Sequence, residues 1–252
     1  MKNFIIGLGL LISSINVYAG PSYFVFDTGN NTVIDNHNGY EQKPIASLTK
    51  LMTALVIVES EVDLEKKVNY RGGVFNKKQV SRKELLKSLL IKSDNEAAEA
   101  LARSWPTGRA DFISEMNRKA FQLEMFQTTY ADPSGRDGRN ISTAADQSKL
   151  IIAAADYHLI PGFSASPHLT VNRTVKKKVK EVIVANTNSR LLSEFDNITL
   201  SKTGFTSRAK RCLALMVEGS ERTIAVVILG EPSPTSRAET ARYLINTYAK
   251  NG

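Results

Sequence analysis

Two hydrophobic periods divide this 252-residue chain, and their order restricts what it can fold into. Near the start, SYFVFDTGNNTVIDNHN reads as two short strands around the turn-rich cluster Thr28-Gly29-Asn30-Asn31. The middle then carries apolar residues at helical spacing. Leu48, Leu51, Met52, Leu55 and Val56 mark one helix, opened by Ser47. Ser81-Arg82-Lys83-Glu84 is a capping box that opens another, with Leu85, Leu86, Leu89 and Leu90 on its inner face. Polar Ser93-Asp94-Asn95 interrupts that pattern before the alanine-rich EAAEALARSW. ADFISEMNRKAFQL and STAADQSKLIIAAA predict two further helices, separated by ADPSGRDGRN, whose Pro, Gly and Asp predict a loop. The last third returns to strand patterns: TVKKKVKEVIVANT, NITLSKTG, RCLALMVEG and RTIAVVILG. Gly219-Ser220 predicts a hairpin between the last two, and SRAETARYLINTYAK closes the chain as an amphipathic helix. Strands at both ends with helices between them predict an α+β fold. One antiparallel sheet would be flanked by helices, the central helices would form a second lobe, and a site would lie in the cleft between them.

Packing alone must hold such a fold. Cys212 is the only cysteine, so no intramolecular disulfide is possible, and its place in the alternating run KRCLALMV predicts a buried structural thiol. The length and a composition of 42% hydrophobic and 23% charged residues suit a large globular core. Met1-Lys2-Asn3, the apolar run from Phe4 to Ile15, and Val17-Tyr18-Ala19 predict a secretory signal peptide over 1–19, cut before Gly20. An uncleaved anchor is the alternative, although the run is short for a bilayer span. The formal charge is +8, and loss of the leader removes one lysine and no acid. Such a surface favours anionic partners. The positives are scattered except in VKKKVK, which reads as the solvated edge of a strand or hairpin, and no nucleic-acid motif is present.

The chemistry starts at KPIASLTKLMTAL. A lysine on the inner face of a helix costs several kcal/mol to bury unless it is paired or has lost its proton. Ser47-Leu48-Thr49-Lys50 is a weak S-x-x-K motif by itself, because Ser207-Arg208-Ala209-Lys210 matches too. S-x-N likewise occurs twice, at Ser14-Ile15-Asn16 within the leader and at Ser93-Asp94-Asn95, while Lys202-Thr203-Gly204 occurs once. Order and context supply the specificity. Ser47 opens a helix, Ser93 interrupts one, and Lys202 ends a strand, in that sequence.

These three motifs are those of class A β-lactamases and penicillin-binding proteins. With KPIASLTKLMTA, SRKELLKSLLIKSDNEAAEALA, NTNSRLL and SKTGFTSRAKRCLALM, the mature chain resembles low-molecular-mass penicillin-binding proteins, the serine D-alanyl-D-alanine peptidases. It is most similar to their D-alanyl-D-alanine endopeptidase branch. The resemblance implies a serine β-lactamase/DD-peptidase-like fold over residues 20–252. It implies an enzyme that needs no cofactor or metal. Low-molecular-mass members often add a C-terminal β-domain and an amphipathic membrane anchor, whereas this sequence stops after one closing helix, so a periplasmic enzyme without a stable membrane anchor is expected. Its partners would be peptidoglycan stem peptides and, as covalent inhibitors, β-lactam antibiotics.

The same resemblance implies the roles of individual residues. Ser47 is expected to be the nucleophile, at a helix N-terminus whose dipole favours developing negative charge. Lys50, three residues on, would be the base, its pKa lowered by burial and by Lys202. Ser93 would relay a proton to the leaving amine, and Asn95 would bond the substrate backbone. Lys202 and Thr203 would engage a substrate carboxylate or carbonyl, with Gly204 allowing close approach. The backbone N–H groups of Ser47 and Phe205 would form the oxyanion hole. Arg237, between the last strand and the closing helix, would help to bind the terminal carboxylate.

Rival activities lack their residues. A class A β-lactamase needs a loop glutamate to activate water, and YADPSGRDGRN has none. A non-enzymatic wall binder could lose Ser47, Lys50, Ser93, Asn95 and Lys202, all of which are present. His37, His158 and His168 lack metallopeptidase spacing, and there is no G-x-S-x-G elbow. Endopeptidase and carboxypeptidase share these motifs, and room beyond the scissile bond decides between them.

Overall fold

A computed structural model describes residues 20–175 and 178–249. The expected signal peptide lies outside them. In chain order the elements are β1 (Ser22–Asp27), β2 (Thr32–His37), β3 (Lys43–Pro44), α1 (Thr49–Glu59), β4 (Lys67–Asn69), β5 (Gln79–Ser81) and α2 (Arg82–Ile91). There follow α3 (Asn95–Arg103), α4 (Arg109–Gln122), β6 (Ile141–Ser142), α5 (Ala144–Ala155), α6 (Leu159–Ser164), β7 (His168–Val175) and β8 (Lys178–Ala185). The chain finishes with α7 (Ser189–Glu194), β9 (Ile198–Thr206), β10 (Lys210–Glu218), β11 (Thr223–Glu231) and α8 (Pro234–Tyr248).

The expected antiparallel sheet has five strands in the order β2-β1-β11-β10-β9. The terminal segments do return to it, β1 pairing with β11 and α8 packing on β10 and β11. Strand alternation sends successive side chains to opposite faces. Val25, Leu213, Leu215, Val226 and Ile228 pack with Ala241, Leu244 and Ile245 of α8 on one face. Phe24, Cys212, Ala214, Ala225 and Val227 join the core of the helical lobe on the other. β10 and β11 are therefore buried on both sides. This accounts for apolar runs that the alternating reading of KRCLALMV does not, since alternation marks a strand with one wet face. Cys212 is buried as expected, and burial pushes its thiol up to about 11.

Two local expectations change and one is narrowed. TVKKKVKEVIVANT, read as the edge of a strand or hairpin, is a hairpin that stays apart from the main sheet. β7 and β8 form a separate two-stranded hairpin, with Leu169, Val171 and Val184 buried and Val179 and Ile183 exposed. Its cross-strand pairs are complete without β9, so the run reads as strand without indicating which sheet it belongs to. The first long helix begins at Thr49, and Ser47 sits in a preceding 3-10 turn, Ala46–Leu48. Lys202-Thr203-Gly204 lies inside β9, which continues to Thr206. The capping box at Ser81 is present as read, its hydroxyl accepting from Glu84 N–H while the Glu84 carboxylate accepts from Ser81 N–H. β9 is an edge strand of the sheet, and the 3-10 turn bearing Ser47 packs beside it. The cleft lies between this edge and the helical lobe.

Candidate active site

Three separate segments converge there, and α1 supplies the first. Its residues from Thr49 to Ile57 are all buried, which is why the helix needs no amphipathic pattern. Lys50 is fully buried among them. Its Nζ donates to Ser47 Oγ at 3.0 Å, to Asn95 Oδ1 at 2.7 Å and to the Ser134 carbonyl at 2.5 Å. All three acceptors are neutral, so nothing in this shell requires the ammonium form. Burial lowers the Lys50 pKa to about 7, against the opposing pull of Asp132 and Asp94, and Arg136 lowers it further. Ser47 is only partly buried.

Ser93-Asp94-Asn95 brings the second segment. Asp94 caps α3, its Oδ1 accepting from the N–H groups of Glu96 and Ala97. Its Oδ2 accepts from the Tyr70 hydroxyl at 2.5 Å and from Val74 N–H at 3.1 Å. This middle residue of the motif thus fixes the bend that presents its two neighbours. Ser93 is held at φ +61°, a left-handed conformation that a non-glycine residue adopts only when its surroundings enforce it. Asn95 is exposed to the cleft.

β9 provides the third. Lys202 is 1% exposed, and its Nζ donates to Ser93 Oγ at 2.9 Å and to the Thr203 carbonyl at 2.8 Å. Two amines and two hydroxyls therefore form two linked pairs, Lys50 with Ser47 and Lys202 with Ser93. The expected repulsion between the amines falls on Lys202. Burial first, then Lys50 and Arg237, push its pKa well below the ordinary lysine value. Thr203 Oγ1 bonds Thr187 Oγ1 at 2.7 Å. Gly204 has a different reason from the one expected. A Cβ there would stand 2.9 Å from the Ile45 carbonyl oxygen and 3.2 Å from Ser47 N. The missing side chain makes room for the serine's own turn.

Sequence reading missed several residues. The loop between α4 and β6 was read only as a loop, yet Asp132 builds it around one carboxylate. Its Oδ1 accepts from Ser134 N–H and Gly135 N–H, and its Oδ2 from Asp137 N–H. Asn140 ties the loop to α1 through Thr49 Oγ1, and Thr53 Oγ1 donates to the Pro133 carbonyl. The result holds the Ser134 carbonyl against Lys50. Gly135, at φ +79°, passes so close that a Cβ would lie 1.8 Å from the Ala46 carbonyl oxygen. Density of Pro, Gly and Asp signalled the turn, but not its burial.

Arg211 was also missed. It faces Phe205 across the β9–β10 ladder, its guanidinium 3.6 Å from the centre of that half-exposed ring. Arg237 lies in the first turn of α8, where burial and the neighbouring Arg211 lower its pKa. The Nε atoms of both arginines are buried without a hydrogen-bond partner. Lys202, Arg211 and Arg237 thus place positive charge at one end of β9.

The chain as a whole is similar to known proteins. Residues 13–233 match the peptidase S11 family, described as D-alanyl-D-alanine carboxypeptidase. The chain belongs to this family. The S11 chain is 34% identical over 222 residues to the D-alanyl-D-alanine endopeptidase of Pseudomonas aeruginosa, covering 84% of itself and 71% of the relative. It superposes on the Streptomyces K15 DD-transpeptidase with a TM-score of 0.81 at 25% identity, over 89% of this chain and 94% of that one. Penicillin-binding protein D2 of Listeria monocytogenes, solved in a cefotaxime-bound form, gives a TM-score of 0.78 at 26% identity, over 89% and 95% of the two chains. The S11 chain is a serine peptidase with the penicillin-binding fold. Among its described residues no helix is long and apolar enough to cross a membrane.

Proposed function

We propose that this S11 peptidase is a D-alanyl-D-alanine endopeptidase that cuts peptidoglycan cross-links through an acyl-enzyme at Ser47. The observation that carries the reading is a fully buried Lys50 amine, 3.0 Å from Ser47 Oγ, with only neutral acceptors around it. An amine whose pKa is lowered to about 7 is partly neutral at physiological pH and can take the serine proton. Ser47 Oγ then attacks the penultimate D-alanyl carbonyl. The backbone N–H groups of Ser47 and Phe205 receive the oxyanion. Ser93, bonded to Lys202, passes its proton to the leaving amine as the C–N bond breaks and takes back the one that Lys50 removed from Ser47, and water later hydrolyses the ester. Asn95 aligns the substrate backbone as well as holding Lys50. Lys202, Thr203 and Arg237, with Arg211 beside them, attract the carboxylate next to the leaving amine. Gly204 lets β9 and the serine turn lie close enough for one substrate to touch both.

Penicillin and cefotaxime would acylate the same serine and remain there. Fast deacylation needs a carboxylate aimed at water; of the two acids in the adjoining ADPSGRDGRN loop, Asp132 spends its oxygens on backbone N–H groups and Asp137 pairs with Arg139. Residues 1–19 act as a signal peptide and residues 20–252 as one periplasmic catalytic domain. Digestion of purified cross-linked muropeptides, followed by mass spectrometry, tests the bond specificity. Dimers should yield monomers faster than pentapeptides lose free D-alanine. The family's carboxypeptidase description favours the reverse order, and trimming of pentapeptides with intact dimers would overturn the endopeptidase reading.

A further inference from the structure

A second site lies on the far side of the Ser93–Asn95 bend. β4, β5 and the facing ends of α2 and α3 enclose a pocket of about 350 Å³ lined by Lys66, Lys67, Arg71, Arg82 and Arg103, with no carboxylate in its wall. Arg103 pairs with Glu96. The side-chain charges of Lys66, Lys67, Arg71 and Arg82 form no ion pair within 4 Å among the described residues, although the Arg71 backbone N–H donates to the same Glu96 carboxylate at 3.3 Å.

Arg82 is the informative member. It is 5% exposed and stands at the first position of α2, where the helix dipole disfavours a cation. Three of its N–H groups go to neutral oxygens: Ser104 Oγ at 3.1 Å, the Asp63 carbonyl at 3.0 Å and the Ser104 carbonyl at 2.7 Å. A guanidinium has five N–H donors, so two remain. The nearest helix-capping acid, Glu84, is committed to Ser81. A buried charge without a counter-ion is costly, and an anion arriving from solution would offset that cost.

The pocket is not isolated from the catalytic cleft. Asn69 and Arg71 also line an adjoining hollow with Gly72, Lys77 and Lys78. That segment holds Tyr70 and Val74 against Asp94, the residue between Ser93 and Asn95. The two hollows thus share cationic walls, and their common segment contacts the residue that sets the Ser93–Asn95 bend.

We propose that this pocket is an anchoring subsite for carboxylates of stem peptides that are not being cut, holding the polymeric wall beside the cleft. The proposal rests on the peptidoglycan reading above. It concerns binding at a distance from Ser47, so the two can fail separately.

Co-sedimentation with purified sacculi freed of covalently bound phosphate polymers is the test, using S47A protein to prevent digestion. Removing two of the pocket cations, as Lys67→Gln with Arg71→Gln, should weaken sedimentation roughly tenfold at low ionic strength, as expected when exposed charge pairs are lost and salt no longer screens the rest. Arg82 is left in place because it ties α2 to α3. A charge-matched control, Lys178→Gln with Lys180→Gln on the β7–β8 hairpin, should sediment as the parent does. Sacculi whose carboxylates have been amidated should bind parent and pocket variant equally weakly. In the Ser47-containing background, the pocket variant should form the penicillin adduct at the parental rate and cleave small soluble dimers normally, while digesting intact sacculi more slowly. Equal losses in the pocket and hairpin variants would mean that net charge alone binds the wall and would overturn the proposal. So would undiminished binding to amidated sacculi, or full competition by inorganic phosphate at concentrations where acetate has no effect. Absence of a Ser47 adduct in the parent would instead sink the catalytic reading and leave the sedimentation result standing.

Discussion

The chain contains two S-x-x-K motifs, and the fold treats them in opposite ways. Ser47 lies partly buried in the 3-10 turn and Lys50 in the fully buried first turn of α1, with the amine 3.0 Å from the hydroxyl. Ser207-Arg208-Ala209 forms the tight turn between β9 and β10, with Ser207 exposed and Lys210 at φ +56°, already in the next strand. Helical geometry puts residues i and i+3 on one face, whereas here the chain reverses between Ser207 in the turn and Lys210 at the start of β10. Residue types and spacing are the same in both. The first pair has a buried amine held by a loop carbonyl and an asparagine, whereas Lys210 is only partly buried. The difference shows that a base at this position is made by its surroundings rather than by the motif.

The largest expected effect separates the two lysines outright. Lys50→Arg should slow penicillin acylation by about 10³-fold, because a guanidinium stays protonated and cannot act as base. Lys210→Arg should leave the rate unchanged. Stopped-flow acylation rates check both, with circular dichroism to confirm the fold. A fully active Lys50→Arg protein would remove the distinction between the motifs.

Next comes pH. Acylation should rise about tenfold per pH unit below pH 7 and level off above it, following loss of the Lys50 proton. Stability has the same sign. The folded amine has a depressed pKa, about 7 against 10.5, so between these values the unfolded chain binds the extra proton. This group therefore adds stability as pH rises from about 7 towards 10.5. Denaturant melts of parent and Lys50→Met across that window should show the parent's slope lost in the variant. A flat acylation profile from pH 6 to 8 would contradict a base of this kind.

A smaller effect should come from the loop that backs only the first motif. Gly135→Ala should destabilise the protein by about 2 kcal/mol or more, since it combines positive φ with a clash against the Ala46 carbonyl. Acylation should fall with it as Ser134 moves off Lys50. Chemical denaturation and acylation rates on the same samples measure the two losses. The smallest effect belongs to Cys212. Its buried thiol, pushed up to about 11, should resist alkylation in the native protein and react on unfolding, as a timed thiol assay would report.

Local patterns were legible in the sequence because local physics sets them. The capping box at Ser81, the β10–β11 hairpin and the strand–helix–strand order each depend on residues only a few positions apart. So did the three motifs of the site and their order along the chain. What a residue touches across long sequence separations was not legible. The two-faced burial of β10 and β11 appears only once α5 and α8 are both in place. The separate β7–β8 hairpin, the Ser134 carbonyl on Lys50, and the buried, unbonded Nε atoms of Arg211 and Arg237 likewise come from contacts between distant segments. Asp94 and Asp132 read as turn residues, and only the folded chain makes them the fixed points of the bend and the loop. The sequence by itself determined which side chains could do the chemistry. Tertiary structure alone decided that Lys50 would be dry enough, and close enough to neutral oxygens, to lose its proton, because desolvation is a property of the assembled core and not of any local pattern.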